Sequence, residues 1–271
     1  MSQKKNKIGV FYTCYKEKDA VEYSLDVLYS IYPDIPVYLI SDGGSDYRFL
    51  KDKAYGKYVE AMLEEDSRGM VPKITEDTYL EPANNSYIKR SIEIFLERVK
   101  RAIEFCDCEY LLVMEPDVLV RGKLNIPDGS KFMGSRINSG LSQQLKNVMS
   151  SVEGAIPVDV WGATPAIFNC ETYLLAYGAL MGNPDLLDRL CKSDCRLANY
   201  DVLFGVLFGV IGVDEEFNPD IIECYRDVNW KNSNKPLVHQ FRAKYPTSSD
   251  GYDGRHLVHE GEDQTDKWIW K

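Results

Sequence analysis

No apolar run in this sequence is long enough to cross a bilayer, and the basic, polar first residues do not resemble a signal peptide. The longest apolar run, residues 202–213, is well short of the roughly 20 residues that a membrane helix needs. Positive charge is also not in excess, because 42 acidic residues outweigh 32 basic ones and give a net charge of −10. Such a chain is poorly suited to bind nucleic acid or an anionic membrane. We therefore expect a cytoplasmic protein with no membrane span and no nucleic-acid partner.

Cysteine and histidine are scarce, and their spacing is not that of zinc ligands. The cysteine count is odd, at seven, and neither Cys106 with Cys108 nor Cys191 with Cys195 has a second Cys or His pair to match it. This pattern favours free thiols in a reducing compartment. Repeats and low-complexity linkers are also missing, so the sequence predicts one domain over residues 1–271.

Apolar residues are plentiful, at 44% of the chain, and their order at the start predicts a βαβ unit. Residues 8–13 form a short apolar run, residues 16–31 carry apolar side chains at helical spacing, and residues 37–40 form a second short run. Two strands joined in this way lie parallel, with a right-handed crossover. The sequence therefore predicts the α/β class, with ligands bound beyond the carboxyl ends of the strands.

The next segment ends in a pair of carboxylates. Residues 47–65 and 86–105 predict helices, and the apolar run 109–114 then stops at Glu115-Pro116-Asp117. In extended backbone, residues i and i+2 project to the same side, so Glu115 and Asp117 can face one target. Burying unpaired charge is costly, and a divalent cation is the simplest partner for both side chains. A plain turn built from proline and aspartate is the alternative.

The second half of the chain predicts short strands and helices separated by polar segments. In order, they are a strand at 132–134, a polar loop or loosely held helix at 135–156, a β-prone segment at 158–168, helices at 170–181 and 186–197, and a helix at 202–212. The last helix is apolar on every face and should be buried, with Gly205 and Gly209 offering a flat side for close packing. The chain after residue 214 predicts mostly loop and contains all three histidines.

This order of features resembles the GT-A glycosyltransferases. The matching parts are the βαβ unit, the acidic, glycine-rich loop at residues 41–46, the long second helix, and a strand that ends in carboxylate-X-carboxylate. The likeness covers most of the chain as an order of features, not as close identity. It implies a Rossmann-like, mostly parallel sheet flanked by helices in a single domain. About residues 1–130 would bind the nucleotide sugar and about residues 131–271 the acceptor.

The resemblance also implies a metal site. In GT-A enzymes, the carboxylate-X-carboxylate (DXD) motif holds Mn²⁺ or Mg²⁺ against the diphosphate of a sugar nucleotide. Carried over, Asp117 would bind the metal directly, and Glu115 would contact the ribose, the metal or its water shell. Several members add a C-terminal histidine, and His239 fits that place in the order, with His256 and His259 as rivals. A lone histidine is more often structural, and glutamate departs from the commonest form of the motif.

Further residues are implied as contacts of the donor. Thr13, Tyr15 and Asp42 match segments that hold the base and ribose, while Trp161 and Gly162 match a segment beside the donor sugar and acceptor. Asp42 is equally explained as the first residue of an Asp-Gly turn. Trp161 is equally explained as a core residue.

The implied catalytic residue is Asp201. The segment from Tyr200 to Gly205 is similar to the Glu-Asp-Val-x-x-Gly segment of many inverting members, in which the aspartate removes a proton from the acceptor hydroxyl. Tyr200 stands where glutamate is common. Asp201 also precedes an apolar helix, and capping of that helix is the alternative role.

The resemblance therefore implies a hexosyl- or pentosyltransferase of glycan biosynthesis. It would move a sugar from a nucleotide diphosphate sugar, with UDP-sugars the first choice, to a hydroxyl of a glycan or other acceptor, with inversion. One alternative is a nucleotidyltransferase acting on sugar phosphates, but residues 13–18 contain no glycine of the kind that such a loop needs. The other is a non-catalytic, carbohydrate-binding module.

Overall fold

The structure is a computed structural model that describes residues 6–14, 18–64, 85–138, 141–158, 160–161, 165–198, 200–223 and 233–239. Within these ranges the helices are α1 (Lys18–Ile31), α2 (Asn85–Cys106), α3 (Gln143–Ser150), α4 (Cys170–Met181), α5 (Pro184–Ser193) and α6 (Tyr200–Val210). The strands are β1 (Asn6–Cys14), β2 (Val37–Asp42), β3 (Val59–Glu64), β4 (Cys108–Met114), β5 (Val118–Val120), β6 (Phe132–Gly134), β7 (Ile137–Asn138), β8 (Val160–Trp161), β9 (Ile167–Asn169), β10 (Glu216–Phe217), β11 (Ile221–Glu223) and β12 (Leu237–His239).

The central sheet has seven strands in the order β10-β6-β9-β4-β1-β2-β3. β1 lies parallel to β2 and β4, and β2 lies parallel to β3. β9 is antiparallel both to β4 and to β6, so β6 again runs in the direction of β4. The ends of β1, β2, β3, β4 and β6 therefore share one side of the sheet, which we call the carboxyl edge. The prediction of an α/β fold with a mostly parallel sheet is confirmed.

Helices cover both faces of the sheet, which explains why its strands are apolar on both sides. Phe11 packs in a cluster with α2, α4 and α6, whereas its neighbours Val10 and Tyr12 pack in a second cluster with α1. Successive side chains of a strand point to opposite faces, so one apolar strand supplies both cores.

Helix α6 lies on the α2 face, and its aromatic rings fix its level along the sheet. Near the end of the helix, Phe208 stacks on Phe132 with ring centroids 4.4 Å apart. At the start of the helix, Tyr200 stacks on Phe95 at 5.3 Å, and Phe95 in turn meets Phe11 at 5.8 Å.

The register of the strands shows in which direction α6 runs across the sheet. Phe132 is level with Leu111 through Phe168, whereas Phe11 is level with Val113, two residues nearer the carboxyl edge. The helix therefore runs against the parallel strands, and its N-terminal turn lies towards the carboxyl edge. This orientation brings the first residues of α6 to the side where ligands bind in such sheets.

One prediction about elements is wrong, and the structure makes two others more specific. Residues 47–65 do not form an α-helix, because two 3₁₀ turns (Arg48–Asp52 and Gly56–Tyr58) lead into β3, which pairs along β2. The polar stretch after residue 135 contains α3, whose first turn is capped by Ser142. The chain after residue 214, predicted as mostly loop, supplies three short strands within its described part.

A partly buried ion cluster fixes α2 to the end of β3. Glu64 accepts hydrogen bonds from Arg98 Nε at 2.8 Å and from an Arg101 guanidinium nitrogen at 2.7 Å. The Arg98 side chain is only 2% exposed, so its charge depends on this carboxylate. The cluster holds the long helix in place beside the carboxyl edge.

Candidate functional site

The two carboxylates at the end of β4 are brought together by a tight turn. The backbone N–H of Val118 donates to the carbonyl oxygen of Glu115 at 2.9 Å, and Pro116 occupies the second position, where proline is favoured. The expectation of continuous extended backbone through Glu115 and Asp117 is therefore wrong. The turn alternative describes the backbone correctly, and the same turn places both carboxylates on one site.

His239 reaches this turn through strand pairing. β12 lies antiparallel to β5, and its last residue, His239, pairs with Val118, the neighbour of Asp117. One possible ligand atom from each of Glu115, Asp117 and His239 lies within 4.8 Å of the other two. Asp117 and His239 are each 7% exposed, while Glu115 is half-buried. We call these three residues the acidic triad.

The acidic triad fits a divalent cation. Within the described part of the chain, the Oδ1 atom of Asp117 is buried and has no hydrogen-bond partner. A buried carboxylate oxygen without a partner is expensive, and a bound cation removes that penalty. Two carboxylates suit Mg²⁺ and Mn²⁺ equally well, whereas the imidazole is a softer ligand and favours Mn²⁺.

The residues implied as nucleotide contacts fall along the carboxyl edge as far as they are described. Thr13 is half-buried near the end of β1, and Asp42 is the last residue of β2, in register with Glu64. Gly43 follows with a φ of 66°, the left-handed conformation that an Asp-Gly turn uses. Tyr15 and Gly162 lie outside the described residues.

Trp161 lies in the small sheet formed by β7 and β8, where it pairs with Ile137. The two alternatives to His239 as a metal ligand, His256 and His259, lie outside the described residues. The structure therefore tests the placement of His239 alone among the three histidines.

Asp201 is the second residue of α6 and is half-buried. It is not the N-cap residue, because the helix already begins at Tyr200. The N-terminal turn of a helix favours negative charge, so this position stabilises an ionised carboxylate. Since α6 starts near the carboxyl edge, Asp201 lies on the same side of the sheet as the acidic triad.

Glu215 is a buried acidic residue that the sequence did not single out. It is 1% exposed, and its Oε1 accepts a hydrogen bond from the backbone N–H of Arg136 at 3.0 Å. Burial raises the pKa of Glu215 to about 8, against the lowering effect of Arg136, and the charges of Asp214 and Asp201 raise it further. A glutamate just before a two-residue strand carries no pattern that distinguishes it from a surface acid.

Among the described residues, no helix is both long enough and apolar enough to cross a membrane. Five cysteines are buried and carry reduced thiols: Cys14, Cys106, Cys108, Cys170 and Cys191.

No family model and no curated protein matches this sequence. Several solved structures do resemble the structure of this chain. An active-site mutant of LgtC is 12% identical, with 89% of this chain and 90% of that chain covered and a TM-score of 0.50. The galactosyltransferase LgtC in complex with donor and acceptor sugar analogues is 13% identical over the same shares, with a TM-score of 0.42. At such identities the likeness to the LgtC mutant shows the fold alone: the chain has the GT-A fold, as its sequence predicts.

Proposed function

We propose that this protein is a metal-dependent glycosyltransferase that uses a nucleotide diphosphate sugar. One observation carries the proposal: the acidic triad lies at the carboxyl edge of a GT-A sheet, with ligand atoms within 4.8 Å and an unpaired, buried oxygen on Asp117. The fold shared with a galactosyltransferase supports the same reading. UDP-sugars are the first donors to test, with a hydroxyl of a glycan or other molecule as acceptor.

In this proposal Asp117 and His239 bind the cation, and Glu115 completes the site as a ligand or as an acceptor for a metal-bound water. When bound, Mn²⁺ or Mg²⁺ stabilises the charge that builds up on the diphosphate leaving group. The protein supplies few ligands, as is usual for cations that share their coordination with substrate phosphates. The buried surroundings of Asp117 and His239 strengthen their hold on a cation.

The nucleotide would lie along the carboxyl edge, against Thr13, Tyr15 and Asp42. Trp161 and Gly162 would contact the donor sugar. Residues 1–130 would form the donor half and residues 131–271 the acceptor half of a single domain. The reduced, buried thiols support a cytoplasmic enzyme.

Asp201 is the proposed general base. Its place in the first turn of α6 favours the ionised form, which can accept the proton of an attacking hydroxyl. Transfer would then be a single displacement that inverts the anomeric configuration of the sugar. NMR of the first product formed tests this step, because retention of configuration would exclude Asp201 as the base of a single displacement.

The proposed function is tested by thermal shift with UDP- and GDP-sugars, each with and without Mn²⁺. We expect at least one nucleotide sugar to stabilise the protein only when Mn²⁺ is present, and Asp117→Asn to abolish that shift. Asp128→Asn is a matched control, because Asp128 is a fully exposed acid that is not part of the acidic triad. Equal shifts in wild type and Asp117→Asn would show that the triad does not bind the metal.

A further inference from the structure

Three buried polar atoms at the ends of β6 and β10 have no hydrogen-bond partner in the described part of the structure. They are Oε2 of Glu215, Oγ of Ser135 and Nδ2 of Asn218. The strands are paired, with Phe217 level with Gly134, so Ser135 and Asn218 follow directly on neighbouring strands. Buried polar groups are nearly always paired, and exceptions close together point to a bound water or to a functional contact.

The backbone around Glu215 is fixed in an unusual way. Arg136 has a φ of 51°, a left-handed conformation that non-glycine residues rarely adopt, and its N–H holds Oε1 of Glu215 at 3.0 Å. Asn218 is anchored as well, because its N–H donates to the carbonyl oxygen of Gly134 at 2.9 Å. One oxygen of the Glu215 carboxyl is therefore fixed by the backbone, and the other is left for a different partner.

The packing of α6 brings Asp201 to the same level. Asp201 lies two helical turns before Phe208, about 10 Å along the helix axis. Ser135 lies about 10 Å beyond Phe132 along the strand direction. Phe208 stacks on Phe132 and the two elements run in opposite directions, so Asp201 comes level with Ser135 and the Glu215 carboxyl.

The charges around Glu215 agree with this placement. Three charged groups affect the pKa of Glu215: Arg136, Asp214 on the same loop, and Asp201 on α6. The Arg136 guanidinium also lies 3.7 Å from Asp214. Burial and these two carboxylates hold the pKa of Glu215 well above its usual range. At neutral pH the group is a neutral acid, and its O–H is a donor.

We propose that Glu215 is a positioning residue for Asp201: a neutral carboxyl group, anchored on Arg136, that donates a hydrogen bond towards Asp201 directly or through one ordered water. This inference rests on the proposed function. The donated bond keeps Asp201 ionised and oriented for the acceptor proton. Loss of the Glu215 proton removes that donor and puts a second negative charge beside Asp201, so the Asp201 carboxylate is repelled and loses its orientation towards the acceptor hydroxyl.

A double-mutant cycle tests the pairing without any need for activity. Unfolding is measured across pH in wild type, Asp201→Asn, Glu215→Gln and the double variant. We expect the wild type to lose stability towards alkaline pH as Glu215 ionises. Asp201→Asn should move that loss to lower pH, because the carboxylate it removes raises the pKa of Glu215, and the effects of the two substitutions should be non-additive. Strict additivity at every pH would overturn the inference, whatever the enzyme does.

The catalytic consequence is read from the pH profile of sugar transfer. In wild type, kcat/KM should fall about tenfold per pH unit once Glu215 ionises, and Glu215→Gln, which keeps a donor but cannot ionise, should remove that fall. Glu215→Leu should lower kcat about tenfold or more while the KM for the donor stays unchanged. Asp214→Asn keeps Glu215 ionisable, so it should retain the alkaline fall and move it to lower pH, because the charge of Asp214 raises the pKa of Glu215.

An unchanged alkaline limb in Glu215→Gln, or a wild-type kcat in Glu215→Leu, would overturn the positioning role. If the wild type releases no nucleotide from any sugar donor while the cycle shows coupling, the proposed function fails and the pairing of Glu215 with Asp201 stands. If transfer occurs without coupling, the proposed function stands and the pairing fails.

Discussion

Asp117 combines burial with an oxygen that has no partner among the described residues. A buried carboxylate oxygen without a partner lowers the stability of the folded protein. Replacing Asp117 should therefore impair ligand binding without destabilising the fold. We predict that Asp117→Asn lowers Mn²⁺-dependent affinity for the nucleotide by about 100-fold or more. The free energy of unfolding of the metal-free protein should stay equal or rise by about 1 to 2 kcal/mol.

Calorimetric titration with UDP and Mn²⁺ measures the first quantity, and urea unfolding measures the second. Asp128→Asn should change neither, because that side chain is exposed. A variant of Asp117 that unfolds more easily and still binds UDP with Mn²⁺ would mean that this carboxylate is structural.

Glu215 gives a prediction about stability and pH. Its pKa is about 8 in the folded protein and near the ordinary glutamate value of 4.5 in the unfolded chain, so the folded state binds the proton more tightly. The contribution of Glu215 is therefore full at acidic pH and is lost as the pH rises through about 8. Between about pH 5 and about pH 9 this loss amounts to something on the order of 4 kcal/mol.

The measurement is chemical unfolding of wild type and Glu215→Gln across that pH range. The difference between the two proteins should grow with pH in favour of the variant, because glutamine cannot ionise. A difference that stays constant across pH would show that Glu215 ionises normally.

Helix α6 supplies the prediction at the scale of elements. A Cβ atom added at Gly209 would lie 2.5 Å from the carbonyl oxygen of Ile156 and 2.7 Å from the terminal methyl of Met149. Gly209→Ala should therefore destabilise the fold by about 1 to 3 kcal/mol and shift the N-terminal turn that carries Asp201. Gly178→Ala in α4 is the matched control, because nothing lies within 4 Å of its added Cβ.

Gly178→Ala should stabilise the protein by about 0.5 to 1 kcal/mol, since alanine is the better helix former. Thermal unfolding of both variants decides the matter. Equal effects of the two substitutions would mean that α6 is not packed closely at Gly209.

Elements with a strong periodic pattern could be predicted from the sequence, and those made by distant pairing could not. The βαβ unit, α2 and α6 follow from local apolar spacing, which is why their predicted bounds lie within a few residues of the observed ones. β3 was mistaken for a helix because its mixed residues show their strand character only against β2.

The same contrast between local pattern and distant pairing holds for the residues of the candidate site. Glu115 and Asp117 stand out because they interrupt an apolar run, and His239 was suggested by its order in a resembling family. The pairing of β12 with β5, which brings His239 to the turn, depends on residues far apart in the chain. The anchoring of Glu215 on Arg136 is likewise a tertiary contact with no local signal.

At the scale of the whole molecule, the GT-A fold offers the carboxyl edge of its sheet to a ligand, and the acidic triad there offers ligand atoms for a divalent cation. We predict that stability and turnover both depend on Mn²⁺ and a nucleotide sugar together. A ligand at 100 times its Kd stabilises the folded state by about 2.7 kcal/mol, which is readily seen in unfolding experiments.

The most direct measurement of the central claim is release of nucleotide diphosphate from a panel of UDP- and GDP-sugars by wild type, with Mn²⁺ or with a chelator, beside Asp117→Asn and Asp128→Asn. We predict release by wild type and by Asp128→Asn with Mn²⁺, and a loss of about 100-fold or more with chelator or in Asp117→Asn. Release that is indifferent to Mn²⁺ and to Asp117, or no release from any donor, would contradict a metal-dependent glycosyltransferase.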